Sequence, residues 1–170
     1  MKANVSLASR LRRQDNVRAR QGNGAGATRR LALMEEGTAM TNPTETHPIR
    51  ILIADRYPLV RRGLRSLFDL EPGMELVGEA EDGIAAVCLA HALRPDVVLI
   101  DLLLPRQGGL QAIREIAGEN PEARILVLTA FADDGQVCAA VRAGARGVLL
   151  KDSPARELLR AIREVCQGGG

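Results

Sequence analysis

From Ile49 onward the chain alternates between two hydrophobic periods, and this limits its fold more than any other feature. Residues 49–54, 74–79, 96–100, 124–129 and 147–150 are apolar runs of strand length, several rich in β-branched side chains. Helical patterns lie between them. Pro58 suits a first helical turn, and Leu59, Leu64, Leu67 and Phe68 fall mostly on one stripe. Asp82 is placed to cap a helix carrying Ile84, Val87, Cys88 and Leu89. Leu110, Ile113 and Ile116 mark a third helix, and Asp133 with Gln136 forms a capping-box spacing ahead of Val137 and Val141. Ser153 as N-cap and Pro154 at the first helical position open a last helix with Leu158, Leu159, Ile162 and Val165. Five strand–helix units in about 120 residues predict an α/β fold, a parallel sheet covered by helices on both faces. The continuous runs VVLI and ILVL suit central strands buried on both sides.

In open sheets of this kind ligands bind beyond the carboxyl ends of the strands. The residues there are Asp55 and Arg56 after the first run, Glu79-Ala80 at the end of the second, Asp101 after the third, Thr129 closing the fourth and Lys151 after the fifth. Two carboxylates, a hydroxyl and an ammonium therefore converge on one edge. Phosphoryl transfer to a carboxylate needs such a set: one Asp as nucleophile, a second to help hold Mg²⁺, and donors for the phosphoryl oxygens. Taken singly, each has a plainer role: the aspartates as helix caps, Thr129 as a strand residue, Lys151 as a solvated cation. Taken at four strand ends of five, those roles are the poorer account. Residue usage adds weight, because 21 of the 23 basic residues are Arg, and Lys151 is the one Lys after Lys2. An ammonium on a flexible stem does what a guanidinium fork does not.

Composition removes other classes. Aromatic residues are 2% of the chain, which argues against base-stacking nucleic-acid platforms. No apolar run approaches the roughly 18 residues of a membrane span. The three cysteines lack CxxC spacing, so neither a disulfide framework nor a zinc ribbon is indicated, and reduced thiols in a cytoplasmic protein are expected. Cys88 and His91, three residues apart on one predicted helix, form too small a set for a metal and are read as packing residues. Arg61, Arg62 and Arg65 are read as a solvated helix face.

Residues 1–48 differ from the rest. They carry a net charge of +4, against −2 for residues 49–170, and they show no sustained periodicity. A disordered basic head is expected. Gly22-x-Gly24-x-x-Ala27 follows no strand and is rejected as a dinucleotide fingerprint. Glu35-Glu36-Gly37, just ahead of Met40, corresponds to a purine-rich ribosome-binding stretch, so Met40 is the expected true start and residues 1–39 a mis-assigned leader. Residues 49–167 are the expected domain, and 168–170 a glycine tail or the start of a linker.

The segments around these strand ends resemble the receiver domain of two-component response regulators. ILIADRYPLVRRGL (51–64) is similar to the first acidic strand end and helix of that family. PDVVLIDLLLPRQGGL (95–110) resembles its phosphoacceptor segment, with Pro105 and Gly109 four and eight residues after Asp101. ILVLTA (125–130) carries the hydroxyl, and AGARGVLLKDSPAREL (143–158) carries the Lys with the ending of NarL/LuxR-type members. The resemblance implies a flavodoxin-like, five-stranded doubly wound (βα)₅ sheet of order 2-1-3-4-5. It implies that Asp101 accepts a phosphoryl group from a sensor histidine kinase. Asp55, Asp101 and the backbone carbonyl of Leu103 would bind Mg²⁺, and Thr129 and Lys151 would bond the phosphoryl group. It implies a cytoplasmic signalling protein, not an enzyme, acting in transcription regulation if an effector domain exists, and it leaves homodimerisation open.

Three positions depart from the family pattern. Arg56 stands where a second acid is usual, Val148 where an aromatic switch residue is usual, and the chain ends before a helix-turn-helix would begin. Arg56 is expected to turn inward and pair with the carboxylates, giving a weak Mg²⁺ site. One alternative is a module that signals by binding without phosphorylation, with Arg56 in the cation site. Another is the truncated N-terminal part of a LuxR-type DNA-binding regulator. A flavodoxin-like or nucleotide-binding enzyme is a different class of reading, but this sequence shows no glycine-rich phosphate cradle after the first strand. The basic head could offer only sequence-blind DNA binding.

Overall fold

The computed structural model describes residues 47–168. The expectations for residues 1–46 and for the last two glycines lie outside the described residues. Ten elements alternate: β1 (Ile49–Ala54), α1 (Pro58–Asp69), β2 (Met74–Ala80), α2 (Gly83–Leu93), β3 (Val97–Ile100), α3 (Gly109–Glu119), β4 (Arg124–Thr129), α4 (Asp134–Ala143), β5 (Gly147–Leu150) and α5 (Ala155–Cys166). The strands form one sheet in the order β2-β1-β3-β4-β5, every pair parallel.

Alternation along each strand splits the core into two layers. Ile51, Ile53, Val97, Leu99, Leu126 and Leu128 face α1 and α5, where Leu64, Phe68, Leu158 and Ile162 meet them. Leu52, Ala54, Val98, Ile100, Ile125 and Val127 face α2, α3 and α4. All four residues of β3 are at most 1% exposed, so each aliphatic side chain contributes about 1.5–3 kcal/mol by burial. The polar strand ends can be held rigidly because this core fixes the strands beneath them.

Local signals place the helices. Pro58 opens α1. Asp82 and Asp133 cap α2 and α4 by accepting the amide protons of Ala85 and Gln136. The bond from Ala85, with Arg106 nearby, holds the Asp82 carboxyl below the usual carboxylate range. Three details differ from the sequence pattern. The buried residues of α2 are Gly83, Ala86 and Ala90, while Ile84 and Cys88 are exposed, because small residues let the helix lie close to its neighbours. Leu59 is 81% exposed and stands off the α1 stripe. Pro154, not Ser153, is the residue before α5, since the Ser153 amide closes a turn onto the Leu150 carbonyl. In addition, β1 and β2 shift register between Ile51 and Leu52, leaving Val77 as the extra residue.

Candidate functional site

Four of the five strands, β1, β3, β4 and β5, each hand one candidate residue to the same edge. The ladder continues one step past the strands: Asp55 donates its amide to Ala80, Asp101 to Ala54, and Lys151 to Thr129. These bonds fix the backbone under the side chains. Asp55, Asp101 and Thr129 are 2%, 2% and 1% exposed. Buried carboxylates need a counter-charge, and Lys151 supplies it to both. Its Nζ lies 2.5 Å from Asp55 Oδ2 and 2.7 Å from Asp101 Oδ2. Burial alone would lower the Lys151 pKa, but the hydrogen bonds to Asp101 and Asp55 and their charges outweigh it. The ammonium is held above its ordinary range.

The remaining oxygens are engaged by the loops. Asp101 Oδ1 accepts the Leu103 amide at 3.2 Å, and Asp55 Oδ1 accepts the Tyr57 amide at 2.8 Å. The Leu103 side chain is exposed, so the loop turns its backbone toward the site. Gly109 explains its place in the motif. A Cβ there would stand 2.2 Å from the Asp101 carbonyl oxygen. The start of α3 thus packs directly on the backbone of the central aspartate.

The structure corrects the expectation for Arg56. Its guanidinium does not turn inward; it stacks 4.6 Å from the centre of the Tyr57 ring and donates to Tyr57 Oη at 2.6 Å. Arg56 is exposed, and the counter-charge role is already filled by Lys151. The arginines of α1 also differ from expectation. Arg61 and Arg65 pair with Glu79 at 3.2 and 2.5 Å, and Arg61 Nη1 donates to the Asp55 carbonyl at 2.6 Å. Tyr57, Arg61 and Glu79 are therefore neighbours of the site that sequence reasoning did not assign. The available signal was Tyr57, the single Tyr of the chain, set between Asp55 and Pro58.

Val148 is half-buried and packs against the layer facing α3 and α4. Cys88 and His91 hold nothing together: Cys88 is exposed, and His91 Nδ1 lies 3.3 Å from Glu119. Among the described residues no group of three or more His, Cys, Asp and Glu is arranged as a metal site. Asp55 and Asp101 nonetheless fit Mg²⁺, which is commonly held by one or two carboxylates with water and phosphate oxygens completing the shell.

A doubly wound parallel sheet with paired buried carboxylates, a hydroxyl and an ammonium at its carboxyl edge defines an α/β signalling domain rather than a nucleotide cradle. The chain belongs to the response regulator receiver domain family, whose model matches residues 51–163. It is 42% identical over 120 residues to the transcriptional regulatory protein LiaR of Bacillus subtilis, covering 71% of this chain and 57% of that protein. It is 42% identical over 124 residues to the nitrate/nitrite response regulator NarP of Escherichia coli, covering 73% and 58%. The receiver domain of a NarL regulator from Mycobacterium tuberculosis superposes with a TM-score of 0.69 at 34% identity, covering 72% of this chain and 98% of that one. The chain spans a little over half the length of the curated relatives it matches. Among the described residues no helix is long and apolar enough to cross a membrane.

Proposed function

We propose that Asp101 is the phosphoacceptor of a two-component relay and that a sensor histidine kinase is the donor. The observation that carries this is the Lys151 ammonium bridging the two buried carboxylates at the sheet edge. A carboxylate oxygen of Asp101 forms the new P–O bond while the P–N bond of a phosphohistidine breaks and the imidazole leaves with its electron pair. Lys151 then trades its bond to Asp101 for one to a phosphoryl oxygen, and the Thr129 hydroxyl donates to another. Receiver domains bind Mg²⁺ at this position. Here Asp55, Asp101 and the Leu103 carbonyl would hold it, and it would supply positive charge to the phosphoryl oxygens. Phosphorylation turns the single charge of the Asp101 carboxylate into an acyl phosphate carrying close to two negative charges, and movement of Thr129 and Lys151 transmits the change to β4, α4 and β5. Val148 supplies a smaller moving part than an aromatic residue would.

Receiver domains are signal transducers that interact with sensor histidine kinases. A groove of about 290 Å³ beside Lys151 is lined by Val60, Leu64, Leu67 and Leu158. A cytoplasmic role follows from a kinase donor, and the relatives' names make control of transcription the proposed output of the whole protein.

The test is intact mass after incubation with Mg²⁺ and a small phosphodonor such as acetyl phosphate. Wild type gains one phosphoryl group and Asp101→Asn gains none. Equal labelling of both refutes the assignment, and no uptake by wild type supports signalling without phosphorylation.

A further inference from the structure

The chain carries a cation beside Asp55, where phosphoryl chemistry has more use for an anion. A guanidinium is built to clasp carboxylates in a planar, two-pronged fashion, and its long stem gives it reach. Arg56 directly follows Asp55, whose buried carboxylate shares the Lys151 ammonium with Asp101, yet the Arg56 guanidinium sits on the Tyr57 ring instead. We infer that Tyr57 is a positioning residue that keeps Arg56 out of the cation site between Asp55 and Asp101. The inference rests on reading those two aspartates as the Mg²⁺ site.

The ring is placed by the site itself. The Tyr57 amide donates to Asp55 Oδ1 at 2.8 Å. Pro58 excludes the helical conformation for the residue before it, and Tyr57 accordingly is extended, with φ −90° and ψ 114°. The ring then lies within reach of two cations at once: Arg56 Cζ at 4.6 Å and Lys151 Nζ at 5.3 Å from its centre. An aromatic face attracts a cation, and the phenol oxygen accepts from Arg56 Nη2 as well. One side chain therefore offers Arg56 a seat outside the site and stands close to the ammonium that occupies it.

The device matters most once Lys151 turns to a phosphoryl group. The Asp55 carboxylate then loses its ammonium, and an unrestrained Arg56 would compete with Mg²⁺ for it. With Arg56 seated on the ring, the missing acid costs the site one ligand but adds no competitor.

The test is Mg²⁺ affinity by titration calorimetry on the full chain, with the Arg56 Nε–H resonance followed by NMR without metal. In wild type that resonance carries an aromatic ring-current shift. Tyr57→Ala loses the shift and binds Mg²⁺ roughly two- to fivefold more weakly, the range expected for an exposed cation–aromatic contact. Tyr57→Phe keeps the ring and retains most of the affinity. The double variant Arg56→Ala/Tyr57→Ala recovers wild-type affinity, which a merely structural role for the ring would not allow. Unchanged affinity in Tyr57→Ala, or a double variant as weak as Tyr57→Ala, overturns the inference while leaving the phosphoacceptor reading intact. Wild type that binds no Mg²⁺ overturns the metal-site reading and the inference with it.

Discussion

Lys151 and Asp101 stand 50 positions apart in the chain, and their side chains meet at 2.7 Å. Asp101 follows β3 and Lys151 follows β5, with β4 paired between the two strands. The contact therefore crosses one whole strand. The long, flexible stem of Lys151 crosses it and presents a compact ammonium.

Removing that ammonium leaves two buried carboxylates facing each other. Lys151→Ala is expected to lower stability by about 2 kcal/mol, below the 3–5 kcal/mol of a fully buried pair because the edge is partly solvated. Mg²⁺ should restore part of the loss by replacing the charge. The folded-state pKa of Lys151 is raised, so its contribution is fully present below the ordinary lysine value of 10.5 and is lost as pH rises through the higher folded value. Urea unfolding of both proteins checks this: the difference should hold steady near neutral pH and shrink only in strong alkali. A constant difference across the alkaline range would contradict it.

The fold was legible because strand and helix periods switch cleanly and because Asp82, Asp133 and Pro58 announce their helices. The site was legible because its members occupy equivalent places, at four of the five strand ends. Arg56 was misread because an ion's preference was weighed only against the two carboxylates. The aromatic ring next door and the prior claim of Lys151 depend on side-chain placement that residue spacing does not carry. Arg61 was misread for a related reason: a helix face looks solvated until β2 brings Glu79 against it.

Arg61, Arg62 and Arg65 now separate by role. Arg61 binds both Glu79 and the carbonyl of Asp55, and its side chain is only 14% exposed. Arg61→Ala should cost about 1–2 kcal/mol, since it leaves a partly buried carboxylate and a backbone carbonyl with fewer partners. Arg65→Ala should cost under about 1 kcal/mol, as its own side chain is 55% exposed, and Arg62→Ala should lie within about 0.5 kcal/mol of wild type. Equal effects for all three in chemical denaturation would return them to a solvated face.

The three thiols should react at different rates. Cys88 and Cys138 are exposed, whereas Cys166 is half-buried at the end of α5. Burial pushes the Cys166 thiol up in pKa, against the opposing pull of the Arg124 charge, so less of it is thiolate near neutral pH. Two cysteines should titrate quickly with a disulfide reagent and the third more slowly. Single Cys→Ser variants identify which is slow, and rapid modification of Cys166 in the native protein would contradict the placement.

Gly109 and Gly118 lie on the same helix and should respond to alanine with opposite signs. At Gly118 an added Cβ meets nothing within 4 Å. Alanine there should gain about 0.5–1 kcal/mol, because it loses less backbone freedom on folding. At Gly109 the added atom meets the Asp101 carbonyl oxygen at 2.2 Å and Leu102 Cα at 2.7 Å. Both are backbone, so no side-chain rotation relieves the clash, and α3 must shift away from the loop that carries Asp101. The cost should be about 1–3 kcal/mol, as for other overpacked positions. The displacement falls on Asp101 itself, so Gly109→Ala should also slow phosphoryl uptake from acetyl phosphate under conditions where it is still fully folded, while Gly118→Ala should not. Thermal unfolding and uptake measured together distinguish the cases. A Gly109→Ala protein that loses stability yet takes up phosphoryl groups at the wild-type rate would show that the packing of α3 supports the fold but does not aim Asp101.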